Sequence, residues 1–284
     1  MRIGFLGYGE AARAFHEGLA RDGLTFLAYD IKLADPAGGM REAMLERGAE
    51  PCLSIVGLAD ADWVFSAVTA DQSLLAIEPL LPHLRQGQVV MDINSVSPDR
   101  KRETSARVED AGALYLDMAV MAPVHPRKHQ TPILLAGPDA ERLLPDLLEL
   151  GFSGSVAGDR PGAATAVKMV RSLFVKGLEA ITVETLLAAE ASGCFDEILA
   201  SISGSFPGLD WPRFAEYQFD RTMTHGRRRA AEMRESAATL EALGLNGPLA
   251  NAIADVQESM GASGRATGEG LRAIVGAALA KRLG

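Results

Sequence analysis

Over its first half the chain alternates short apolar runs with stretches in which apolar residues recur every three or four positions. The runs at 2–6, 24–29, 63–68, 88–92, 113–120, 132–136 and 153–157 are short, β-compatible and bounded by turn formers, so they predict buried strands. Ala11, Ala14, Phe15 and Leu19 mark a helix that stops at Asp22-Gly23, and further helices are expected over 40–47, 72–84, 97–111 and 138–151. Ser97-Pro98-Asp99 opens one of them with a proline in the first turn and an acid at the positive end of the helix dipole. Alternating strand and helix at this spacing predicts a doubly wound, mostly parallel α/β sheet of Rossmann type.

From Gly162 the strand pattern ceases. Long segments rich in Ala, Leu, Glu and Arg follow at 163–192, 210–244, 247–261 and 267–283, broken at Ser192-Gly193, 203–208, Asn246-Gly247-Pro248 and 261–264. The expected organisation is a sheet domain over 1–160 and an all-helical domain over 161–284, with a long helix running directly out of the first. No internal repeat or low-complexity linker separates them.

Composition narrows the function classes. The 284 residues are 48% hydrophobic and 23% charged, an ordinary globular balance with enough apolar material for two cores. The formal charge of −9 disfavours a nucleic-acid partner. Cys52 and Cys194, far apart and without C-x-x-C spacing, argue against a disulfide framework or a cysteine zinc site, and no metal is expected. No run of about 18 apolar residues suggests a membrane span, and the glycines of MRIGFLGYG interrupt what would be a signal sequence. The expectation is a soluble cytoplasmic protein.

The chemistry-bearing stretches then stand out. Gly7-Tyr8-Gly9-Glu10-Ala11-Ala12 lies between the first strand and the first helix, and Asp30 closes the second strand. In that context Gly7 permits a tight turn, Gly9 lets the backbone approach a pyrophosphate, and Ala12 allows close packing of helix on strand. Gly7, Tyr8, Gly9, Glu10 and Ala11 are therefore expected to border a dinucleotide. Asp30 is expected to hold a ribose hydroxyl, which favours NAD, with Lys32 keeping NADP as the alternative. Thr69 follows the 63–68 strand and is expected to flank the cofactor. Asn94 and Ser95 lie just past a strand's carboxyl end, where ligands of open α/β sheets bind. Further on, ATAVKMVRSLFVKG (164–177) reads as an oily helix carrying Lys168 and Ser172 about 40° apart, with Arg171 about 60° to the other side. Lys176 is rotated about 80° from Lys168 and is expected at a solvent-facing or interfacial position.

Three of these stretches carry a resemblance to the β-hydroxyacid dehydrogenases, the group of the 3-hydroxyisobutyrate, tartronate-semialdehyde and 6-phosphogluconate dehydrogenases. IGFLGYGEAA (3–12) stands where that group has its cofactor turn. DINSVSPDRKRE (92–103) is similar to the segment D-x-S-T-x-S-P, and GDRPGAATAVKMV (158–170) to G-x-x-G-x-x-x-x-x-K-x-x, whose lysine is the catalytic acid/base. The resemblance implies that role for Lys168. It also implies substrate or nicotinamide contacts at Asn94 and Ser95, and a substrate loop at DMAVMAPVHPRKH (117–129), where Met121, Ala122 and Pro123 would line the pocket. Two departures are plain. The asparagine expected beyond the lysine is missing, Arg171 and Ser172 standing three and four positions on, and the loop lacks the serine and paired glycines of D-A-P-V-S-G-G. HGRRRAAEMRESAATLEALGL (225–245) resembles a poorly characterised branch of the superfamily.

A lysine can accept the hydroxyl proton during hydride transfer if burial or neighbouring positive charge lowers its pKa from about 10.4. The alternative for Lys168 is a lysine snorkelling from a boundary helix or ion-paired for structure. Ser172 can replace the missing asparagine or bond its own i−4 carbonyl. Arg171 can clamp a carboxylate or form a surface pair, and HPRKH (125–129) can meet an anion or lie in solvent. The Arg227–Arg229 run reads as a salt-bridged face, with Arg228 kept as a substrate contact reaching the site of a dimer partner, as the resemblance implies. The expected protein is thus an NAD(P)-dependent oxidoreductase for a small, anionic hydroxy acid or its oxo form, acting as a homodimer. An imine reductase of the same fold and a non-catalytic dinucleotide sensor are the rival readings.

Overall fold

A computed structural model describes residues 1–283 and divides into two compact units, Met1–Lys168 and Met169–Gly284. The first carries an eight-stranded sheet: β1 (Arg2–Leu6), β2 (Thr25–Tyr29), β3 (Ala49–Pro51), β4 (Trp63–Ser66), β5 (Val89–Asp92), β6 (Leu114–Val120), β7 (Ile133–Ala136) and β8 (Gly154–Gly158). Their order across the sheet is β3-β2-β1-β4-β5-β6-β7-β8. Pairs from β3 to β6 are parallel, β6–β7 is antiparallel, and β7–β8 is parallel again. The reversal arises because residues 121–132 return as a loop without a crossover α-helix, which parallel pairing requires. The mostly parallel Rossmann-type sheet followed by a helical half is the architecture the hydrophobic pattern predicts.

Helices α1 (Glu10–Leu19), α2 (Met40–Leu45), α3 (Ser73–Ile77), α4 (Pro98–Asp110) and α5 (Ala140–Glu149) belong to this unit. Ile3 and Phe5 of β1 pack with Ala12, Phe15 and Leu19 of α1, while Leu6 packs with Leu58 and Ile77 on the opposite face. Both faces are therefore covered, and the strands read as continuous apolar runs rather than alternating ones. Three local expectations change. The single helix over 72–84 is broken into a turn of 3-10 helix at Ala70–Gln72, the short α3, and a 3-10 stretch at Glu78–His83 that contains Pro79 and Pro82. Neither proline can donate an N–H to a helical ladder. Strand β3 and the later helix α7 were not expected at all.

Helix α6 (Ala163–Ala191) begins in the first unit and continues into the second, which also holds α7 (Phe195–Ser205), α8 (Trp211–Ala242), α9 (Gly247–Ser263) and α10 (Leu271–Leu283). Helices α8 and α9 cross at glycines. A Cβ on Gly226 would overlap the Gln257 carbonyl oxygen, and one on Gly261 would lie 2.6 Å from the Arg227 nitrogen. Beside that crossing a buried Arg229–Glu179 ion pair is completed by Gln257, whose Nε2 donates to Glu179 at 2.8 Å. Among the described residues no helix is long and apolar enough to cross a membrane.

Candidate active site

The turn after β1 uses its two glycines differently. Gly7 has φ +83° and donates its N–H to the Tyr29 carbonyl at 2.8 Å; a Cβ there would stand 2.6 Å from the Ala67 carbonyl oxygen. Gly9 is the N-cap of α1 in extended backbone, and a Cβ on it would meet nothing within 4 Å. The space in front of the helix is thus open. Among the described residues no side chain caps α1, so its first-turn N–H groups face that space, as anion binding at a helix N-terminus requires. Glu10 is exposed there and Ala11 half-buried. The turn fits the pyrophosphate of a dinucleotide.

Tyr8 borders this space with its main chain only. Its ring is fully buried and its hydroxyl lies 2.6 Å from His16 Nδ1. Burial pushes the Tyr8 phenol up to about 12 and the His16 imidazole down to about 4. The Tyr8 N–H donates to Asp30 Oδ2 at 2.8 Å, and Asp30 Oδ1 accepts from the Lys32 N–H at 3.0 Å. Each carboxylate oxygen accepts more than one hydrogen bond, so Asp30 retains capacity for ribose hydroxyls.

Next along the strand ends come β4 and β5. Asn94 is buried and stitches their loops together: its Oδ1 accepts the Val68 N–H at 2.7 Å and its Nδ2 donates to Ser66 Oγ at 2.9 Å. The amide is engaged by the protein itself. Thr69 is exposed at the head of the following 3-10 turn. Ser95, half-buried, accepts a hydrogen bond from Lys168 Nζ at 2.6 Å. Two carboxylates hold the two sides of that contact. Asp92 accepts the Asn94 N–H at 2.8 Å, and Asp117 accepts the N–H groups of Gly162 and Thr165 at 3.0 and 3.1 Å. Asp117 therefore caps the start of α6 from strand β6, and Lys168 lies one turn beyond the capped residues. Asp117 and Thr165 were missed by sequence reasoning, because each looks like an ordinary strand or helix residue until the sheet is assembled.

The remaining expected residues are distributed more loosely. Met121 is half-buried, with its N–H donating to the Pro132 carbonyl at 2.9 Å, while Ala122, Pro123 and Arg171 are exposed. The HPRKH loop is not a solvated basic loop throughout. His129 is buried edge-on to Phe152, and Lys128 lies 3.5 Å from Glu17. In the helical unit Arg228 is exposed and pairs with Glu232 at 2.6 Å, as the salt-bridged face predicts. Of the two positions expected for Lys176, the solvent-facing one does not hold. Lys176 is only 5% exposed, its Nζ lying 3.0 Å from Glu232 Oε2 and 3.1 Å from Ser172 Oγ. The carboxylate that makes this burial tolerable comes from α8 and cannot be seen on the wheel of α6. Burial lowers the Lys176 pKa, and Glu232 opposes that shift.

The family profile described as the NAD binding domain of 6-phosphogluconate dehydrogenase matches residues 2–148, which include the glycine turn, Asp30 and the loops after β4 and β5. The chain belongs to this family. Beyond its 6-phosphogluconate dehydrogenase-type domain, a second profile, a domain of unknown function (DUF1932), matches residues 189–260. A conserved hypothetical protein of Sinorhizobium meliloti 1021 is 36% identical, with a TM-score of 0.79, over 99% of this chain and 96% of that one. The 2-(hydroxymethyl)glutarate dehydrogenase of Eubacterium barkeri is 25% identical over 226 residues, 77% of this chain and 73% of its own. A 3-hydroxyisobutyrate dehydrogenase of Mycobacterium tuberculosis, in a structure with L-serine, shares the fold at 19% identity and a TM-score of 0.72, covering 98% of each chain.

Proposed function

We propose that this protein is a nicotinamide-dinucleotide-dependent dehydrogenase for a small, anionic hydroxy acid or its oxo counterpart, with Lys168 carrying the proton. The observation that supports it best is the 2.6 Å hydrogen bond between Lys168 Nζ and Ser95 Oγ, in the unit that also holds the dinucleotide turn. The cofactor, when bound, supplies or accepts the hydride. The residues that would hold it are the Gly7–Ala11 turn and first-turn N–H groups of α1 at the phosphates, with Asp30 at the ribose. A carboxylate at that place repels a 2′-phosphate, so NAD is the expected partner.

Ser95 Oγ accepts from Lys168, which leaves its own proton to donate toward a substrate oxygen. In the oxidative direction a neutral Lys168 Nζ takes the substrate hydroxyl proton; in the reductive direction the ammonium returns it. Pairing with Ser95 orients the amine and restricts its rotamers, which is what general acid–base catalysis asks of a flexible side chain. The dehydrogenase names of the curated relatives support the reaction class.

Lys168→Met tests the reading. Reduced-cofactor binding, followed by fluorescence, should stay within about 3-fold of wild type, while turnover of a responsive hydroxy acid falls by about 100-fold or more. A variant that keeps most of its turnover would overturn the assignment. The substrate is found by screening hydroxy acids with NAD and NADP and reading the absorbance of reduced cofactor.

A further inference from the structure

Lys101 lies in the charged run DRKRE of α4, yet its side chain is completely buried. Its Nζ is 2.6 Å from the Asp92 carbonyl oxygen, 2.9 Å from Asp92 Oδ1 and 3.5 Å from Asp117 Oδ1. An ammonium has three protons, and these three acceptors surround it. Asp92 and Asp117 are register neighbours on the parallel strands β5 and β6, so without a cation two buried carboxylates would face each other. Tyr115 donates its hydroxyl to Asp92 Oδ2 at 2.8 Å, and Thr165 donates its own to Asp117 Oδ1 at 2.8 Å. Gly162, at φ +93°, brings the start of α6 so near α4 that a Cβ would lie 2.8 Å from the Pro98 carbonyl oxygen.

Each carboxylate governs one half of the Lys168–Ser95 pair. Asp92 fixes the loop that carries Ser95, and Asp117 fixes the first turn of the helix that carries Lys168. We infer that Lys101 is a positioning residue whose ammonium ties Asp92 to Asp117 and thereby sets the reach of Lys168 to Ser95. This role rests on the proton-carrier reading of Lys168. It differs from a purely structural ion pair in what its loss should change: the reactivity and chemistry of Lys168, beyond any fall in stability.

Lys101→Met is measured in the full chain in three ways. kcat should fall by about 10-fold or more, because ångström-scale misplacement of a catalytic group carries such a penalty. KM for the dinucleotide should stay within about 3-fold, since the glycine turn is untouched. The rate at which acetic anhydride labels Lys168, read by mass spectrometry against exposed Lys32 as the internal standard, should change by about 3-fold or more as the contact with Ser95 loosens. Should Lys101→Met not fold, the same step is taken on an Asp117→Asn background, which restores the buried net charge. There Lys101→Met should lower kcat and alter Lys168 labelling beyond Asp117→Asn alone. Folded variants with unchanged labelling and unchanged kcat overturn the inference. Lys168→Met assayed in parallel separates the two ideas. An active Lys168→Met sinks the proton-carrier reading, whereas an inactive one beside a fully active Lys101→Met sinks the positioning role alone.

Discussion

Lys168 and Lys176 stand two turns apart on one helix, and only the first carries a local signal in the sequence. Lys168 is flagged by the glycines that lead into its helix, whereas the fate of Lys176 depends on Glu232 of another helix. The same limit hid Lys101, which sits among solvated charges in the sequence and among carboxylates in the fold. Ser172, four positions beyond Lys168, accepts a hydrogen bond from Lys176, which leaves its hydroxyl hydrogen and one lone pair for a ligand. His16 gives a residue-scale consequence that can be measured. Its folded pKa of about 4 lies below the ordinary 6.5, so the unfolded chain takes up a proton first as the pH drops. Stability should therefore be complete above about pH 6.5 and decline toward pH 4, by about 3 kcal/mol from this group. Burial lowers His129 in the same direction. Urea denaturation midpoints across that window should show the slope, and His16→Phe should flatten it; an unchanged slope would refute the assignment.

At the scale of elements, the strands that line the candidate site were readable because burial on both faces writes itself as continuous apolar sequence. Strand β3 was not: Ala49-Glu50-Pro51 has one buried residue, and its pairing comes from β2. Helix α7 does carry helical spacing in Phe195, Ile198, Leu199 and Ile202, but it is short and ends in Ser-Gly-Ser. The turn between β1 and α1 separates two kinds of glycine. Gly7→Ala combines positive φ with a close carbonyl, so it should cost about 1–3 kcal/mol and lower the thermal midpoint. Gly9→Ala should fold as well as wild type, because its Cβ meets no protein atom within 4 Å, yet lose about 10-fold or more in dinucleotide affinity. Fluorescence titration and calorimetry on the two variants distinguish the roles. Equal behaviour of the pair would contradict the division.

The whole molecule has separate cores in its two units, one set built around the sheet and another around Met223, Phe219, Met233 and Ile253 of the helices. At the glycine crossing of α8 and α9 a Cβ on Gly226 would lie 2.0 Å from the Gln257 carbonyl oxygen. Gly226→Val should therefore lower stability by about 2–4 kcal/mol or more through overpacking. Loss of helical circular dichroism at a reduced temperature would report it, and a midpoint within a degree of wild type would exclude it. The family profiles follow the same division, one ending at residue 148 and the other starting at 189. Helix α6 bridges the gap between them, and its first turn is capped by Asp117, a residue of the sheet. The anchoring of Lys168 is consequently supplied from within the sheet unit. Substitutions in the helices after Met169 therefore remove neither the Asp117 cap on that first turn nor the Ser95 partner of Lys168.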